Sequence, residues 1–135
     1  MKEIPKRKNL RERRKKIKKI LTPNGKVYIQ SSFNNTIITI TDVEGRVICW
    51  GSSGSLGFKG TRKSTPYAAG VVSRNLIVKA EEMGVREVDI YIKGVGSGRD
   101  QAVRAFNNSS LVVKSLADIT PIPHNGCRAK KSRRV

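Results

Sequence analysis

The chain has 135 residues, enough for one domain with short extensions, and it carries 28 Lys and Arg against 10 Asp and Glu, a formal net charge of +18. One His and two Cys are too few for a four-ligand Cys/His zinc site or for a secreted disulfide framework. No apolar run approaches the roughly 20 residues of a membrane span, and we expect no secretory signal because the first residues lack an apolar stretch.

The positive charge is concentrated at the two ends of the chain. Residues 1–25 hold 11 Lys and Arg and 2 Glu, residues 26–118 hold 12 basic and 8 acidic residues, and residues 119–135 hold 5 basic residues and no acid. Runs of like charge repel in a compact state, so they indicate a polyanionic partner. We therefore expect a basic N-terminal arm (1–25), an α/β domain (26–120) and a basic extended C-terminal tail (121–135).

The arm has four apolar residues at roughly helical spacing, which would suit a short basic helix formed against a partner. A mitochondrial presequence is disfavoured, because Glu3 and Glu12 are present and Ser is absent. A membrane-surface helix is a further alternative, although its apolar face would be thin. The apolar residues are Leu10, Ile17, Ile20 and Leu21.

After the turn at 23–25, alternating apolar and polar residues predict three strands in an antiparallel meander, at 26–33, 36–41 and 46–50. Val27, Ile29 and Phe33 share one face of the first strand, and we expect that face to be inward. Asn34 and Asn35 tolerate positive φ, so we expect them to form a tight hairpin.

The second half of the domain alternates helices and strands. Thr65 and Pro66 have the character of an N-cap and a first-turn proline, and an apolar stripe then runs to Gly84. The predicted elements are a loop at 51–63, a helix at 65–83, a strand at 86–93, a loop at 94–98, a helix at 100–109 and a strand at 111–117. The order β-β-β-α-β-α-β predicts a single α/β domain, a mixed five-stranded sheet with two helices on it.

This strand order resembles that of ribonuclease H-like nucleases, which hold metal ions on acidic residues, one of them in the first strand. Residues 26–33 contain no acid here, so Asp42, Glu44, Asp89 and Asp100 are weak candidates for a metal site, and we expect Asp89 to be solvated or paired. The lone His124 has no nucleophile partner at a recognised spacing. Of the two cysteines, Cys49 is expected in the core, and Cys127 lies among basic residues. We therefore expect no enzyme activity, metal or cofactor.

Two glycine loops are candidate phosphate sites. Gly94, Gly96 and Gly98 follow a strand and precede a helix, but position 99 is Arg, so the dinucleotide fingerprint is incomplete. Backbone N–H groups at a helix N-terminus attract phosphate, and glycine lets it approach; a simple tight turn is the alternative. The loop at 51–63 has basic residues among glycines and hydroxyls, and Phe58 there either stacks on a base or, as we favour, plugs the core.

The seven aromatic residues are scattered and expected mostly in the core. Stacking on unpaired bases is therefore not indicated, and recognition of the backbone and shape of folded RNA is favoured. A metal nuclease and a general nucleic-acid compactor remain as alternatives.

Three motifs resemble one known family. The segments 32–36 (SFNNT), 57–69 (GFKGTRKSTPYAA) and 120–128 (TPIPHNGCR) are strongly similar to the family of the eleventh protein of the bacterial-type small ribosomal subunit. The resemblance implies a ribonuclease H-like fold without the active site. It also implies binding to small-subunit ribosomal RNA on the platform, near the exit site and the upstream mRNA path, with the eighteenth and seventh small-subunit proteins as neighbours. The ribosome would lie in a bacterial cytoplasm, a chloroplast or a mitochondrion.

The motif match and the glycine loops together give the expected RNA contacts. A Gly after Asn favours isoaspartate formation, so Asn125 is also a candidate modification site. The expected RNA-binding residues are Asn34, Asn35, Lys59, Arg62, Lys63, Lys93, Gly94, Gly96, Gly98, Arg99, His124, Asn125, Arg128, Lys130, Lys131, Arg133 and Arg134.

Overall fold

A computed structural model describes residues 23–134. Most of the basic arm, including the four apolar residues expected on one helical face, lies outside the described residues. The described elements are β1 (Asn24–Ser31), β2 (Thr36–Asp42), β3 (Val47–Ser52), a 3₁₀ turn (Gly60–Ser64), α1 (Pro66–Glu82), β4 (Glu87–Lys93), α2 (Arg99–Asn107) and β5 (Val112–Asp118).

The five strands form one mixed sheet in the order β3-β2-β1-β4-β5. Neighbouring strands β1 and β2, and β2 and β3, are antiparallel, because each pair is joined by a short hairpin. The pairs β1–β4 and β4–β5 are parallel. Helix α1 connects β3, which runs in the same direction as β1, to β4, and α2 connects β4 to β5. The predicted α/β architecture is confirmed, and it places β1 at the centre of the sheet.

The core lies between the helices and one face of the sheet. Alternate residues of β1, β2 and β4 point toward α1 and α2 and are buried, whereas their neighbours face the other side. Phe106 of α2 is fully buried and is the largest such side chain in the described chain. Burial of an Ile or Phe side chain contributes about 1.5–3 kcal/mol, so this layer stabilises the frame that carries the surface loops. The largest fully buried apolar residues are Phe106, Ile29, Ile38, Ile40, Leu76 and Ile90.

Local signals explain where α1 begins and ends. The Thr65 hydroxyl accepts a hydrogen bond from the Ala68 N–H at 3.3 Å, and Pro66 occupies the first helical position, as predicted. Gly84 follows the helix with φ +93°, a conformation that favours glycine. The chain then turns back and enters β4 at Glu87.

The β1–β2 hairpin differs from expectation in two ways. Phe33 is 75% exposed rather than inward, because β1 ends at Ser31 and Phe33 lies in the turn. Asn34 and Asn35 do not adopt positive φ; among the described residues other than glycine, Asn125 alone does. Instead the Ser32 hydroxyl accepts from the Asn35 N–H at 3.1 Å, and the Ser32 N–H donates to the Asn35 carbonyl at 2.9 Å. These bonds close a four-residue loop without left-handed backbone.

Within residues 23–134, no helix is both long enough and apolar enough to cross a bilayer.

Candidate nucleic-acid interface

Most of the predicted RNA contacts converge on one end of the sheet. Strands β1, β3, β4 and β5 all end there, so the connections that follow them lie side by side. We call this end the carboxyl edge. It consists of the hairpin 32–35, the loop 53–65, the glycine loop 94–98 and the root of the tail, 119–123.

Hydrogen bonds join the parts of the carboxyl edge to one another. The Ser97 hydroxyl donates to the Ser64 carbonyl at 2.5 Å, linking the glycine loop to the 3₁₀ turn. The Gly96 N–H donates to the Ser31 carbonyl at 3.2 Å, linking the same loop to the end of β1. Residues far apart in sequence thus form one continuous surface.

The three glycines of the loop 94–98 are required by packing. Gly94 has φ +99°, and a Cβ at Gly94 or Gly96 would overlap the Ser31–Ser32 segment. A Cβ at Gly98 would lie 2.5 Å from Thr36 Oγ1 and 2.8 Å from Ala69 Cβ. The tight-turn alternative therefore accounts for all three glycines, and a role in phosphate binding stays a prediction.

Three cations of the loop 53–65 are available for a ligand. Lys59 is the residue before the 3₁₀ turn, and Arg62 and Lys63 lie within it. Among the described residues, none of the three has an acidic partner within ion-pair distance. Lys59 and Arg62 border an open cavity of about 490 Å³, which Leu56, Gly57 and Phe58 complete. This cavity combines apolar walls with two cations at the protein surface.

The prediction that the aromatic residues lie mostly in the core is wrong. Trp50 and Tyr67 are 60% and 69% exposed, and Phe33 is more exposed than either. Phe58 is half-buried rather than a core plug, and its ring meets the Tyr67 ring edge-on at 6.2 Å. Phe33 and Phe58 belong to the carboxyl edge, and Tyr67, in the first turn of α1, adjoins it through its contact with Phe58. The sequence did carry a signal for Phe33 and Tyr67, since one is flanked by turn residues and the other lies off the apolar stripe of α1.

Arg99 differs from the other predicted contacts, because its guanidinium already has protein acceptors. Nη1 donates to the Gly94 carbonyl at 2.9 Å, and Nη2 donates to Asp118 Oδ2 at 2.6 Å. The side chain is 29% exposed, against 46% for Asp118. By contrast, Lys93 at the end of β4 is exposed and has no acidic partner within ion-pair distance in residues 23–134.

Asp118 and Thr120 are site residues that the sequence analysis does not identify. The Thr120 hydroxyl and N–H both donate to Asp118 Oδ1, at 2.6 and 3.0 Å. These bonds, followed by the one from Arg99, stabilise the carboxylate and lower the pKa of Asp118 to about 2. The Thr120 hydroxyl also accepts from the Gly94 N–H at 3.1 Å. Asp and Thr are common residues at the end of a strand, so the local sequence does not indicate this arrangement. Its other members, Arg99 and Gly94, lie far away in sequence.

The acids considered for metal binding do not assemble into a site. Asp42 is buried and accepts from Arg46 at 2.9 Å, and Arg46 also pairs with Glu44 at 3.0 Å. Asp89 accepts from the Ser115 hydroxyl at 2.7 Å, as the paired interpretation predicts. The part of the chain that the structure describes holds no group of three or more His, Cys, Asp or Glu placed to bind a metal.

The two cysteines have contrasting environments. Cys49 is buried among core residues, and that burial raises the pKa of its thiol to about 11, against a smaller opposing effect of Lys79. Its thiol is therefore protonated and unreactive at neutral pH, in line with the predicted core role. Cys127 is exposed in the tail.

The tail is exposed from residue 121 to residue 134, which includes every basic residue predicted to bind RNA there. Asn125 has φ +59° and is followed by Gly126. His124 is exposed next to it. The tail thus extends the positively charged part of the surface beyond the carboxyl edge.

Comparison with known proteins identifies relatives along almost the whole chain. A family model described as "Ribosomal protein S11" matches residues 25–134. The "Small ribosomal subunit protein uS11" of Borreliella burgdorferi (strain ZS7) is 52% identical over 122 residues, which are 90% of this chain and 93% of that protein. The "Small ribosomal subunit protein uS11c" of Cicer arietinum is 52% identical over 134 residues, 98% of this chain and 96% of that protein. The uS11c of Pisum sativum is 56% identical over 113 residues, 84% and 82% of the two chains.

The fold, its basic edge and these matches define a structural protein of the small ribosomal subunit. Binding of ribosomal RNA is the general role of such proteins, and ribosomal RNA and other ribosomal proteins are their partners. The chain belongs to the ribosomal protein S11 family, which is structural rather than catalytic. Its relatives place it in the ribosome of a bacterial cytoplasm or of a chloroplast.

Proposed function

We propose that the carboxyl edge and the tail bind small-subunit ribosomal RNA on the platform of the subunit, near the exit site and the upstream mRNA path. In this role the protein makes and breaks no covalent bond. It holds RNA segments together and so supports subunit assembly and translation. The eighteenth and seventh small-subunit proteins are its proposed neighbours.

The observation that carries this proposal is the separation of charge along the sheet. The carboxyl edge and the tail carry most of the unpaired cations of the described chain, while acids cluster at the opposite end of the sheet. Asp42 and Glu44 lie in and after the end of β2, Glu81 and Glu82 end α1, and Glu87 begins β4. A polyanion is therefore attracted to one end of the molecule and not to the other.

The proposed contacts fall into three groups with distinct chemistry. Side chains with full charge neutralise phosphates, and hairpin amides donate hydrogen bonds. The glycine loop lets phosphate approach its backbone closely, while its Gly94 and Gly96 N–H groups donate to Thr120 and Ser31 within the protein. Exposed aromatic rings at the same edge offer surfaces for base stacking. The proposed residues are Asn34, Asn35, Lys59, Arg62, Lys63, Lys93, Gly94, Gly96, Gly98, Arg99, His124, Asn125, Arg128, Lys130, Lys131, Arg133 and Arg134, to which we add Phe33, Phe58 and Tyr67.

The chain divides into three parts in this proposal. The domain at 26–120 presents the rigid edge, the tail at 121–135 follows RNA grooves, and the arm at 1–25 adds a net charge of +9. Counterion release from the contacted phosphates drives association. The tail becomes ordered only when it binds the RNA. This suits an extended segment whose residues make few contacts with the rest of the protein.

Crosslinking in cell extract, followed by sequencing of the attached RNA, tests the proposal. We expect crosslinks concentrated in one folded region of small-subunit ribosomal RNA, and co-sedimentation of the protein with small subunits. Even coverage of messenger RNA, or equal affinity for duplex DNA, would instead support a general compactor. Mg²⁺-dependent RNA cleavage that is lost on Asp89→Asn would support a nuclease.

Asn125 is proposed as a site of isoaspartate formation. The Gly126 nitrogen attacks the carbonyl carbon of the Asn125 side-chain amide, ammonia leaves, and water then opens the resulting succinimide to isoaspartate. Glycine leaves this attack unhindered, and both residues are exposed. Fragmentation mass spectrometry of aged protein should show conversion at Asn125, and the Gly126→Ala variant should slow it. Protein that keeps only intact Asn125 after prolonged incubation would contradict the proposal.

A further inference from the structure

The C-terminal tail leaves the sheet through a small group of hydrogen-bonded residues, which we call the tail-root network. It consists of Gly94, Arg99, Asp118 and Thr120. Asp118 accepts from Arg99 with one carboxylate oxygen and from Thr120 with the other. Gly94 closes the ring, because its carbonyl accepts from Arg99 and its N–H donates to Thr120. Five hydrogen bonds thus join the glycine loop, the start of α2 and the first residues of the tail.

This network determines the direction in which the tail departs. The Ile119 N–H donates to the Ile92 carbonyl at 2.8 Å, so the chain still follows β4 at that point. Thr120 is then held on both its N–H and its hydroxyl. Because Thr120 and Ile122 each precede a proline, their backbones are biased to extended conformations. The orientation set at Thr120 is therefore carried along 120–123 toward the basic residues of the tail.

An acid at this position is unexpected on electrostatic grounds. The carboxyl edge is proposed to bind a polyanion, and a half-exposed carboxylate there repels phosphate. Of the two acids near this edge, Asp100 makes no ion pair with a described residue, whereas Asp118 accepts three hydrogen bonds. Asp118 thus places a negative charge in a surface proposed to bind a polyanion, and both of its oxygens accept hydrogen bonds from protein groups. This indicates that its role is to hold those groups in place rather than to supply charge.

We infer that Asp118 is a positioning residue for RNA binding, which acts through Thr120 and Arg99 to aim the basic tail along the RNA contacted by the glycine loop. The inference rests on the proposed function of the carboxyl edge. It makes the tail and the loop one binding unit rather than two independent ones. It also predicts that removing a negative charge weakens binding to a polyanion.

Matched variants of the full chain separate positioning from charge. Asp118→Asn and Asp100→Asn each remove one negative charge near the carboxyl edge, so simple electrostatics predicts equal or slightly tighter RNA binding for both. Positioning predicts that D118N binds a small-subunit ribosomal RNA fragment about 3- to 10-fold more weakly, as the loss of one or two hydrogen bonds implies. D100N should bind at least as tightly as the unmodified protein.

Substitutions at Thr120 make the same test without a change in charge. Thr120→Val removes the hydroxyl that bonds to both Asp118 and Gly94, and we expect it to weaken binding as D118N does. Thr120→Ser keeps the hydroxyl and should bind within about 2-fold of the unmodified protein. Since T120V preserves side-chain shape, it also tests the inference if D118N folds poorly.

The direction of the tail can be read separately from affinity. Cys127 is exposed and Cys49 is buried, so an iron chelate that cuts nearby RNA through hydroxyl radicals can be attached at Cys127. The unmodified protein should cut one compact region of the RNA, whereas D118N and T120V should cut diffusely. A loss of fold stability alone would reduce the amount of cutting without spreading it.

The outcomes are distinct. If D118N binds as tightly as D100N, or keeps a compact cutting pattern at saturating RNA, Asp118 does not position the tail. If the unmodified protein shows no preference for small-subunit ribosomal RNA over duplex DNA, the proposed function fails first and the inference falls with it.

Discussion

At the scale of single residues, the structure of the carboxyl edge depends on glycines and on one acid among basic residues. Asp118 is negative at a positively charged edge, and three glycines leave room for neighbouring backbone. In both cases the side chain, or its absence, holds protein segments in place. The exposed cations, the hairpin amides, the aromatic rings and the loop backbone around them are then the groups proposed to contact RNA.

The ionisation of Asp118 provides a direct check of the tail-root network. Hydrogen bonds from Thr120 and then Arg99 lower its pKa from 3.8 to about 2 in the folded protein. Its contribution to the free energy of unfolding is therefore fully present above about pH 4 and is lost as the pH falls toward 2. A ¹³C NMR titration should give a midpoint near 2 for Asp118 and a higher midpoint in the T120V protein, which loses the hydroxyl hydrogen bond but keeps those from the backbone N–H and Arg99. A midpoint near 3.8 in the unmodified protein would show that the network is not formed in solution.

A methyl group added to the glycine loop should destabilise the fold. In the Gly96→Ala protein, the new Cβ would overlap Ser31 Oγ and the Ser32 carbonyl, and the backbone at Ser32 cannot easily move away from it. We expect the free energy of unfolding to fall by about 1–3 kcal/mol, as is typical of overpacking. Urea unfolding measures the change.

Gly54→Ala is the matched control for that substitution. Its Cβ would meet Lys63 Cδ at 3.5 Å and Ser52 Oγ at 3.8 Å, which are ordinary contacts. The free energy of unfolding should then change by less than about 0.5 kcal/mol. Equal effects of the two substitutions would mean that close packing is not the reason for glycine at position 96.

At the scale of elements, the 3₁₀ turn and α1 are joined through one side chain. Thr65 Oγ1 donates to the Arg62 carbonyl at 2.7 Å and accepts from the Ala68 N–H at 3.3 Å. The hydroxyl therefore both caps the helix and fixes the turn that carries Arg62 and Lys63. Changes at Thr65 should affect the helix and the cations together.

Thr65→Ala should lower the free energy of unfolding by about 0.5–2 kcal/mol, because an N-cap hydrogen bond is removed. Thr65→Ser keeps the hydroxyl and should retain most of that stability. Urea unfolding of the two variants, compared with the unmodified protein, gives both values. If T65A and T65S are equally stable, the hydroxyl does not contribute to stability at this position.

The sequence predicts the elements better than it predicts what surrounds them. Strong periodicity and clear punctuation by Thr65, Pro66 and Gly84 are enough for the order and type of every strand and helix. Phe33 is misplaced because alternation alone does not show where a strand stops. The predicted bounds of β3 stop short at Trp50, since Gly51 and Ser52 resemble loop residues although they continue the pairing with β2.

The candidate site shows the same division. Basic residues in glycine-rich segments can be recognised locally, and so can the motifs that resemble the family. The bonds of Arg99 to Asp118 and Gly94 cannot, because they depend on the parallel pairing of β4 with β5 and on where α2 begins. Long-range contacts of this kind follow from tertiary structure rather than from spacing.

At the scale of the whole molecule, opposite ends of the sheet differ in charge, and this predicts a fixed orientation on RNA. The formal net charge of +18 would attract RNA to any surface if it were evenly spread. The two ends can be compared directly, because three cations without an acidic partner within ion-pair distance in residues 23–134 can be chosen at each end. Lys59, Arg62 and Lys63 lie at the carboxyl edge; Lys26, Lys79 and Arg86 lie toward the other end.

Two triple substitutions to Gln, one at each end, test this orientation with the same change in charge. Neutralising the carboxyl-edge set should weaken binding to a small-subunit ribosomal RNA fragment by about 10- to 100-fold near physiological salt. It should also reduce the slope of log affinity against log salt by about 3, since each substituted cation leaves one phosphate without its partner. Neutralising the opposite set should leave the slope within about 1 of that of the unmodified protein. Equal reductions of the slope by the two sets would mean that total charge, rather than its placement at the carboxyl edge, governs RNA binding.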